Sequence, residues 1–310
     1  MWCDRTQAVR SLGPGDTVAG EWSGLSFVIE RRLGEGANGS VFLVRSSSVP
    51  SHCALKLGFD AYELQSEVNA VRAIERGKSD IGRVVGRTAI LSDDCNMRGM
   101  KVPFYTMPYI PGQSVTDRIR GGAPMTRAEW LSFANRLLRE LGRLHACGWV
   151  FGDVKADNVL IGSDGGVKLI DYGGASRMGR SIRQFTELYD RGYWRAGERR
   201  ADPAYDLFGA AVLLIECLIG SKRLHRLAQH PKGRNVQALA ALLEDGPKWF
   251  KSARTVQRML QGDYADTGQV RYELRAEMRH PAAAASSWPV YWFGGSLCAC
   301  IATMWWIWRS

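Results

Sequence analysis

Short apolar runs bounded by turn residues fill the first third of the chain. They predict five strands, at residues 25–29, 41–44, 53–57, 83–91 and 101–109. Between the third and fourth runs, Leu64, Val68, Val71 and Ile74 recur at helical spacing within residues 62–74. The pattern therefore predicts a small sheet that carries one helix.

Longer helical patterns follow. Thr126 opens a helix over residues 127–147, whose predicted buried stripe is Trp130, Phe133, Leu137, Leu138, Leu141 and Leu144. A strongly apolar helix is predicted over residues 206–219. It is too short to cross a membrane and contains Asp206 and Glu216, so we interpret it as a core element.

The two ends of the chain differ in character. Residues 1–20 are polar and contain glycine and proline, which predicts a loose leader without a signal peptide. Residues 281–308 contain no charged side chain, and residues 288–308 are long enough and apolar enough for a transmembrane helix with tryptophans near both ends. The alternative is a buried C-terminal helix of the globular core. The basic segment 269–287 before it predicts a single pass with the bulk of the chain in the cytoplasm.

The charge and the cysteine content of the chain limit the kinds of partner and metal site that it can have. The 310 residues carry a formal net charge of +10, and residues 221–279 contain 12 Lys/Arg against 6 Asp/Glu. An acidic partner such as DNA, anionic lipid or an acidic protein is compatible with this excess, as is a solvated basic face. The seven cysteines form no CxxC pair, which argues against a zinc site or a disulfide framework. Gly294-Gly295 in the apolar tail allow close helix approach, a weak signal for a homodimer.

A short polar loop between apolar runs contains the candidate chemistry. Asp153, Lys155 and Asn158 supply a carboxylate that can orient a hydroxyl, an ammonium that can neutralise a phosphoryl oxygen, and an amide that can hold a metal ion. Alone, the loop is equally compatible with an ordinary polar surface loop. Asp171 ends a later strand, and a β-hairpin between the two acids would bring Asp171 beside Asn158 as a second metal ligand.

A glycine-rich hairpin lies between the first two strands. It includes the candidate nucleotide-binding residues Gly34, Glu35, Gly36, Ala37, Asn38, Gly39 and Val41. Glycines let backbone N–H groups approach a polyphosphate, and the position between two strands argues against a Rossmann unit. Val41 would cover an adenine ring. A plain tight hairpin is the alternative.

Lys56 lies in an apolar strand, where an unpaired lysine is costly, so an acid is expected nearby. Glu67 on the following helix is the favoured partner and Glu63 the alternative, although both acids could simply be solvated. The stiff connector at residues 107–112 offers the Pro108 carbonyl and the Ile110 N–H to an adenine edge. Residues 174–194 are basic and polar and predict a mobile segment, with Ser176, Ser181, Thr186 and Tyr189 as candidate phosphoacceptors.

The order of these parts resembles the eukaryotic-like (Hanks-type) protein kinase family over residues 25–268. The resemblance rests on GEGANGSV, CALK, the helix with Glu67, GDVKADN, DYG, RAGE and YDLFG. Within the family, TELYDRGYW looks most like the tail-anchored YabT-type kinases of spore-forming bacteria, which lack an extracellular sensor.

The resemblance implies an α+β, bilobal fold with ATP in the cleft between a small antiparallel sheet lobe and a helical lobe. The implied N-lobe is residues 21–107, the hinge 108–112 and the C-lobe 113–268. It further implies serine/threonine phosphorylation with autophosphorylation, and Mg²⁺, or alternatively Mn²⁺, as the cofactor.

The resemblance also assigns roles to single residues. Lys56 would hold the α/β-phosphates beside Ala54 and pair with Glu67, and Asp153 would accept the hydroxyl proton. Lys155 would contact the γ-phosphate, and Asn158 with Asp171 would hold the metal.

Three positions depart from the family pattern. Gly152 stands where an arginine commonly binds a phosphorylated activation segment, which suggests control by a partner instead. Tyr172 replaces phenylalanine, and Pro108 replaces the hinge acid. Two other functions remain open at this point: a catalytically silent nucleotide-binding scaffold, and a kinase regulated by nucleic acid or anionic lipid through its basic surface.

Overall fold

The computed structural model describes residues 2–76, 91–182, 185–230 and 233–279. Met1–Leu274 form one compact unit, and a second unit, Arg275–Ser310, is described only as far as residue 279. The predicted transmembrane helix at 288–308 therefore lies outside the described residues. Within the described ranges, none of the helices combines the length and apolar character needed to span a bilayer.

The first part of the chain folds into a six-stranded antiparallel sheet. Its strands are β1 (Thr17–Ala19), β2 (Ser26–Gly36), β3 (Gly39–Ser46), β4 (Val49–Gly58), β5 (Ser92–Met97) and β6 (Met100–Pro108). They are ordered β1-β2-β3-β4-β6-β5. Alternating residues such as Phe42 and Val44 are fully buried in one core, as expected where one face of a sheet is covered. The predicted small sheet is confirmed.

Two helices accompany this sheet. Helix α2 (Ala61–Arg76) buries the four residues predicted for its apolar face, Leu64, Val68, Val71 and Ile74. Helix α1 (Trp2–Arg10) was not predicted. Residues 1–20, expected to be a loose leader, instead contain α1 and β1, because Val9 and Val18 are buried in the same core as the sheet.

Strand β5 also differs from the sequence expectation, which placed a strand at residues 83–91. Residues 83–90 lie outside the described ranges, and the observed strand begins at Ser92. Its sequence, SDDCNM, is too polar to be recognised by its pattern. Asp93 is nevertheless buried because its carboxylate accepts hydrogen bonds from the backbone N–H groups of Trp22 (3.1 Å) and Ser23 (2.8 Å).

The second part of the unit is mainly helical. Its helices are α3 (Val115–Arg120), α4 (Arg127–Ala146), α5 (Pro203–Ile219), α6 (Ser221–Gln229), α7 (Val236–Ala241), α8 (Ala253–Gln261) and α9 (Thr267–Arg279). Helix α4 begins with a capping box between Thr126 and Glu129. Its six predicted stripe residues are all buried. At about 1.5–3 kcal/mol for each fully buried large apolar side chain, this stripe anchors the helical lobe.

Helix α5 begins three residues earlier than predicted. Asp202 caps it by accepting a hydrogen bond from the Tyr205 N–H (2.8 Å), and Pro203 occupies the first turn, where its missing N–H is not needed. Residues 205–216 are all buried, which confirms the interpretation of this segment as a core helix.

Short strands hold the loops between these helices. They are β7 (Gly112–Ser114), β8 (Trp149–Val150), β9 (Val159–Gly162), β10 (Val167–Leu169) and β11 (Ser176–Arg177). Strands β7, β9 and β10 form one small sheet, and β8 pairs with β11. The expected hairpin between Asp153 and Asp171 is therefore present as β9–β10.

The described part of segment 174–194, which the sequence predicts to be mobile, packs against the helical lobe. Its described part contains β11 and a 3₁₀ turn at Glu187–Tyr189, and Leu188, Tyr189 and Trp194 are buried. Asp190 is also buried, with its carboxylate bound to the guanidinium of Arg199 (2.7 Å) and the hydroxyl of Tyr205 (2.8 Å). These apolar and ionic anchors were hidden by the basic, polar composition of the segment.

Candidate active site

The loop after β8 is fixed by an acid from a distant helix. Asp206 in α5 is fully buried, and its two carboxylate oxygens accept hydrogen bonds from the N–H groups of Phe151 (2.8 Å) and Gly152 (2.9 Å). His145 of α4 contacts the same carboxylate through Nε2 at 2.8 Å. A buried carboxylate with three hydrogen-bond partners holds the backbone that leads into Asp153.

Asp153 presents one occupied and one open carboxylate oxygen. Its Oδ2 accepts a hydrogen bond from Asn158 Nδ2 (3.1 Å) and lies 2.6 Å from Lys155 Nζ. Its Oδ1 is buried and has no hydrogen-bond partner among the described residues. Because a buried unpaired carboxylate oxygen is costly, this atom is open to a hydrogen bond from a bound donor.

The β9–β10 hairpin brings Asp171 to the same edge. The N–H of Ile170 donates to the Asn158 carbonyl at 2.9 Å, so the residue before Asp171 is bonded directly to the loop. Asp171 has a left-handed backbone conformation (φ 61°), stabilised because its carboxylate accepts a hydrogen bond from the Gly173 N–H (3.3 Å). The sequence-predicted residues Asp153, Asn158 and Asp171 are thus brought together.

The side chains of Asn158 and Asp171 fit a magnesium ion. The Asn158 Nδ2 donates to the Asp153 carbonyl (3.0 Å), which fixes the amide and leaves its oxygen as the group available to a cation. No cluster of three His, Cys, Asp or Glu within the described part of the chain could hold a metal ion by itself. Mg²⁺ commonly takes one or two protein oxygens and completes its shell with phosphates and water, which suits this pair.

Lys56 and Glu67 form the buried ion pair that the sequence favours over the Glu63 alternative. Lys56 Nζ lies 2.7 Å from Glu67 Oε2 and 3.1 Å from Asp171 Oδ1. Burial alone would lower the pKa of Lys56, but the carboxylates of Glu67 and Asp171 outweigh it and raise that pKa above its ordinary value. Lys56 therefore remains an ammonium, which is the form that binds phosphate oxygens.

Tyr105 completes this cluster and was not identified from the sequence. Its hydroxyl donates to Glu67 Oε1 at 2.7 Å. Burial raises the pKa of Tyr105 well above its usual value, and the adjacent Glu67 carboxylate adds to that shift, so the phenol stays protonated as a donor. Alternating residues of a strand share a face, so Tyr105 in β6 could have been placed opposite Lys56 once the strand register was known.

The glycine-rich hairpin is the β2–β3 turn, with Gly36 opposite Gly39. A Cβ atom added to Gly34 or Gly36 would meet nothing within 4 Å, so the space beside them is open to a ligand. A Cβ at Gly39 would lie 2.3 Å from the Leu57 carbonyl oxygen, so only glycine fits there without a shift. Ala37 and Asn38 form the turn, and the Asn38 carbonyl accepts a hydrogen bond from the Phe59 N–H (3.1 Å).

The other predicted nucleotide-binding residues line the same region of the sheet. Val41 lies opposite Lys56 in the β3–β4 pairing, and Ala54 is two residues from Lys56, so the three share a sheet face. Pro108 ends β6, and Ile110 follows it in the connector to β7. The carboxylate of Glu35, another predicted nucleotide-binding residue, is paired with Arg10 and Arg32.

Lys155 links the loop to the segment that follows β11. Its ammonium donates to Thr186 Oγ1 at 3.1 Å while remaining beside Asp153. The candidate phosphoacceptors therefore differ in their surroundings. Thr186 is bonded to Lys155, Tyr189 is buried, and the Ser176 hydroxyl donates to the Gly174 carbonyl (3.3 Å), whereas Ser181 is exposed.

Gly152 has a backbone φ of 82°, a region that residues with a Cβ rarely adopt. A Cβ at this position would lie 2.4 Å from the Gly174 carbonyl oxygen. The ring of the neighbouring Phe151 packs edge-to-face on Tyr172, with 5.4 Å between the ring centroids. Tyr172 thus keeps the apolar packing expected of the phenylalanine it replaces.

Comparison with known proteins identifies related sequences and folds. The protein kinase domain model matches residues 27–281. The serine/threonine-protein kinase YabT of Bacillus subtilis is 34% identical over 273 residues, which covers 87% of this chain and 76% of YabT. The serine/threonine-protein kinase pak-1 of Caenorhabditis elegans is 25% identical, covering 61% of this chain and 32% of pak-1.

A solved structure of vaccinia related kinase 3 superposes with a TM-score of 0.67 at 15% identity. The match covers 90% of this chain and 96% of that one. At this identity the likeness concerns the fold alone, and it agrees with the bilobal arrangement of a sheet lobe and a helical lobe.

Proposed function

The chain belongs to the protein kinase family and is a serine/threonine protein kinase, and we propose that it is catalytically active, autophosphorylates and acts at the cytoplasmic face of a membrane. The proposal of activity rests on the different surroundings of the two carboxylate oxygens of Asp153. One is held by Lys155 and Asn158, and the other is buried without a partner among the described residues.

In the proposed reaction, Asp153 Oδ1 orients a serine or threonine hydroxyl and accepts its proton. The hydroxyl oxygen attacks the γ-phosphorus of ATP, the bond from that phosphorus to the β–γ bridging oxygen breaks, and ADP leaves. Lys155, held between Asp153 and Thr186, contacts the γ-phosphoryl oxygens. Its charge offsets the negative charge of the transferred group.

The remaining residues bind and orient the nucleotide. Lys56 binds the α- and β-phosphates, and the open faces of Gly34 and Gly36 admit the phosphates to the backbone of the hairpin. Asn158 and Asp171 would hold Mg²⁺, which when bound neutralises phosphate charge. The Pro108 carbonyl and the Ile110 N–H would bind the adenine edge, with Val41 and Ala54 against the ring.

Incubation of the full chain with labelled ATP and Mg²⁺ tests the proposed activity. Label is expected on the chain itself and on a generic basic protein. Nucleotide binding without any transfer would instead support the catalytically silent scaffold.

Membrane tethering is proposed from residues 288–308, which have no charged side chain and follow a basic segment. The full chain, expressed in a bacterial cell, is expected to sediment with membranes and to resist extraction by carbonate. A chain ending at residue 287 is expected to remain in the supernatant. Equal recovery of the two chains in the supernatant would contradict the proposed anchor.

A basic helix favours regulation by a polyanion as an additional function. Helix α6 exposes Lys222, Arg223 and Arg226 on one face, although Arg223 also pairs with Asp245. DNA is expected to bind a chain ending at Arg279 and to lose affinity steeply between 50 and 200 mM salt, by about tenfold or more for a few phosphate contacts. Replacement of Lys222 and Arg226 by alanine should reduce that salt dependence. Binding that is insensitive to salt would count against phosphate contacts. Binding to anionic vesicles without binding to DNA would identify lipid as the polyanion.

A further inference from the structure

Helix α1 is fixed to the sheet lobe beside the glycine-rich hairpin. Val9 is fully buried in the core that contains Phe27 and Phe42. Ala8 is also buried, so the last turn of α1 has a defined position on the sheet. The helix therefore presents its arginines to fixed points of the sheet lobe.

One connection runs from α1 to the first strand of the hairpin. Arg10 Nε lies 2.9 Å from Glu35 Oε1, and Arg32 pairs with the other oxygen of the same carboxylate. Arg32 also donates to the carbonyls of Arg10 (2.7 Å), at the end of α1, and of Leu12 (3.3 Å), just beyond it. These contacts of Arg10 and Arg32 thus join the end of α1 to Glu35, which lies between Gly34 and Gly36.

A second connection reaches the turn of the hairpin. Arg5 Nη1 donates to the Phe59 carbonyl (3.3 Å), and the Arg10 guanidinium lies 5.7 Å from the centre of the Phe59 ring. The N–H of Phe59 in turn donates to the Asn38 carbonyl at the turn, at 3.1 Å. Helix α1 therefore contacts the hairpin directly at Glu35 and, through Phe59, at Asn38.

We propose that α1 positions the glycine-rich hairpin for the nucleotide and that Arg10 is a positioning residue, acting through Glu35. The inference rests on the proposed binding of ATP under this hairpin. Because of its glycines, a hairpin that is not held in place has many backbone conformations. Ligand binding must then offset the entropy lost when the hairpin is ordered. A hairpin held at both Glu35 and Asn38 is preorganised, so binding costs less ordering.

The test compares Arg10→Ala with the wild-type full chain. Because the pair is partly exposed, we expect a rise of about two- to fivefold in the Kd for a fluorescent ATP analogue and in the KM for ATP. The kcat and the KM for protein substrate should stay unchanged, because Arg10 does not contact the reacting groups. Arg10→Lys should recover part of the affinity, since it keeps the charge.

Arg45→Ala is the matched control. Arg45 is an exposed arginine of the same β2–β3 hairpin, paired with Glu30 (3.7 Å) at the end far from the glycines. It should leave the Kd unchanged. Equal nucleotide affinities of Arg10→Ala, Arg45→Ala and wild type would overturn the proposal, as would a loss of kcat at constant KM.

Nucleotide binding also separates this inference from the proposed catalysis. If wild type binds the analogue but transfers no phosphate, the proposed activity fails while the Arg10 comparison still stands. If wild type does not bind the analogue at all, both fail. A thermal melt of each variant shows whether a loss of affinity comes from unfolding. If Arg10→Ala is destabilised, the nucleotide affinity of Arg10→Lys, which retains the charge, is compared with that of wild type instead.

Discussion

Replacement of Asp153 by asparagine is expected to lower phosphoryl transfer by about 10²- to 10⁴-fold, the usual contribution of a positioned general base. The amide cannot accept the hydroxyl proton at the position of Oδ1, the buried oxygen without a partner among the described residues. Nucleotide affinity should change little, because Asp153 does not line the hairpin. Transfer of label from ATP, measured beside binding of a fluorescent analogue, reports both quantities.

Asp157→Asn provides the control for this change. Asp157 belongs to the same loop and undergoes the same substitution, but it is exposed and accepts a hydrogen bond from Thr116 Oγ1 (2.8 Å). We expect transfer by this variant to remain within about twofold of wild type, since exposed polar contacts contribute little. Asp153→Asn with wild-type turnover would refute the assignment of Asp153 as the base.

Replacement of Asp206 by alanine is expected to have the largest effect on stability, a loss of about 3–5 kcal/mol in the free energy of unfolding. The change leaves the buried N–H groups of Phe151 and Gly152 without their acceptor and removes the partner of His145. Each buried donor left unsatisfied costs about 1–3 kcal/mol. Urea unfolding followed by circular dichroism measures the loss, and phosphoryl transfer should fall with it because the loop before Asp153 is released.

Asp245→Ala is the comparison for the stability measurement. Asp245 pairs with Arg223, but half of its side chain is exposed. Removal of this carboxylate should cost less than about 1 kcal/mol. If the two variants unfolded at the same urea concentration, the carboxylate of Asp206 would not be the support of the loop that the geometry indicates.

The local chemistry of this site could be predicted from the sequence, but its supports could not. The spacing from Asp153 to Asn158 and the hairpin leading to Asp171 depend on a few adjacent residues, and turn and strand patterns indicate them directly. The apolar strand around Lys56 predicted its acidic partner, because a buried lysine needs an acid nearby. Asp206, by contrast, acts 55 residues from Phe151. Its position at the start of an apolar helix indicates a buried acid without saying what it binds.

Helix α1 and strand β5 were missed for a related reason. Only Ala8 and Val9 of α1 are described as buried, too few positions to produce a recognisable apolar stripe. In β5, the burial of Asp93 depends on N–H groups supplied by Trp22 and Ser23, about 70 residues earlier. Tertiary hydrogen bonds of this kind allow a polar residue to be buried, and the local sequence pattern does not show them.

The anchoring of the segment after β11 has a consequence for the time course of the enzyme. Asp190 is bound to Arg199 and Tyr205, and Arg191 holds Asp202 through two bonds of 2.9 Å. These ion pairs form between side chains of the unmodified chain, so the described part of the segment makes them without an added phosphate. If the proposed activity holds, label transfer is expected to proceed at a constant rate from the start. A lag followed by acceleration, as in a kinase activated by its own product, would contradict this expectation.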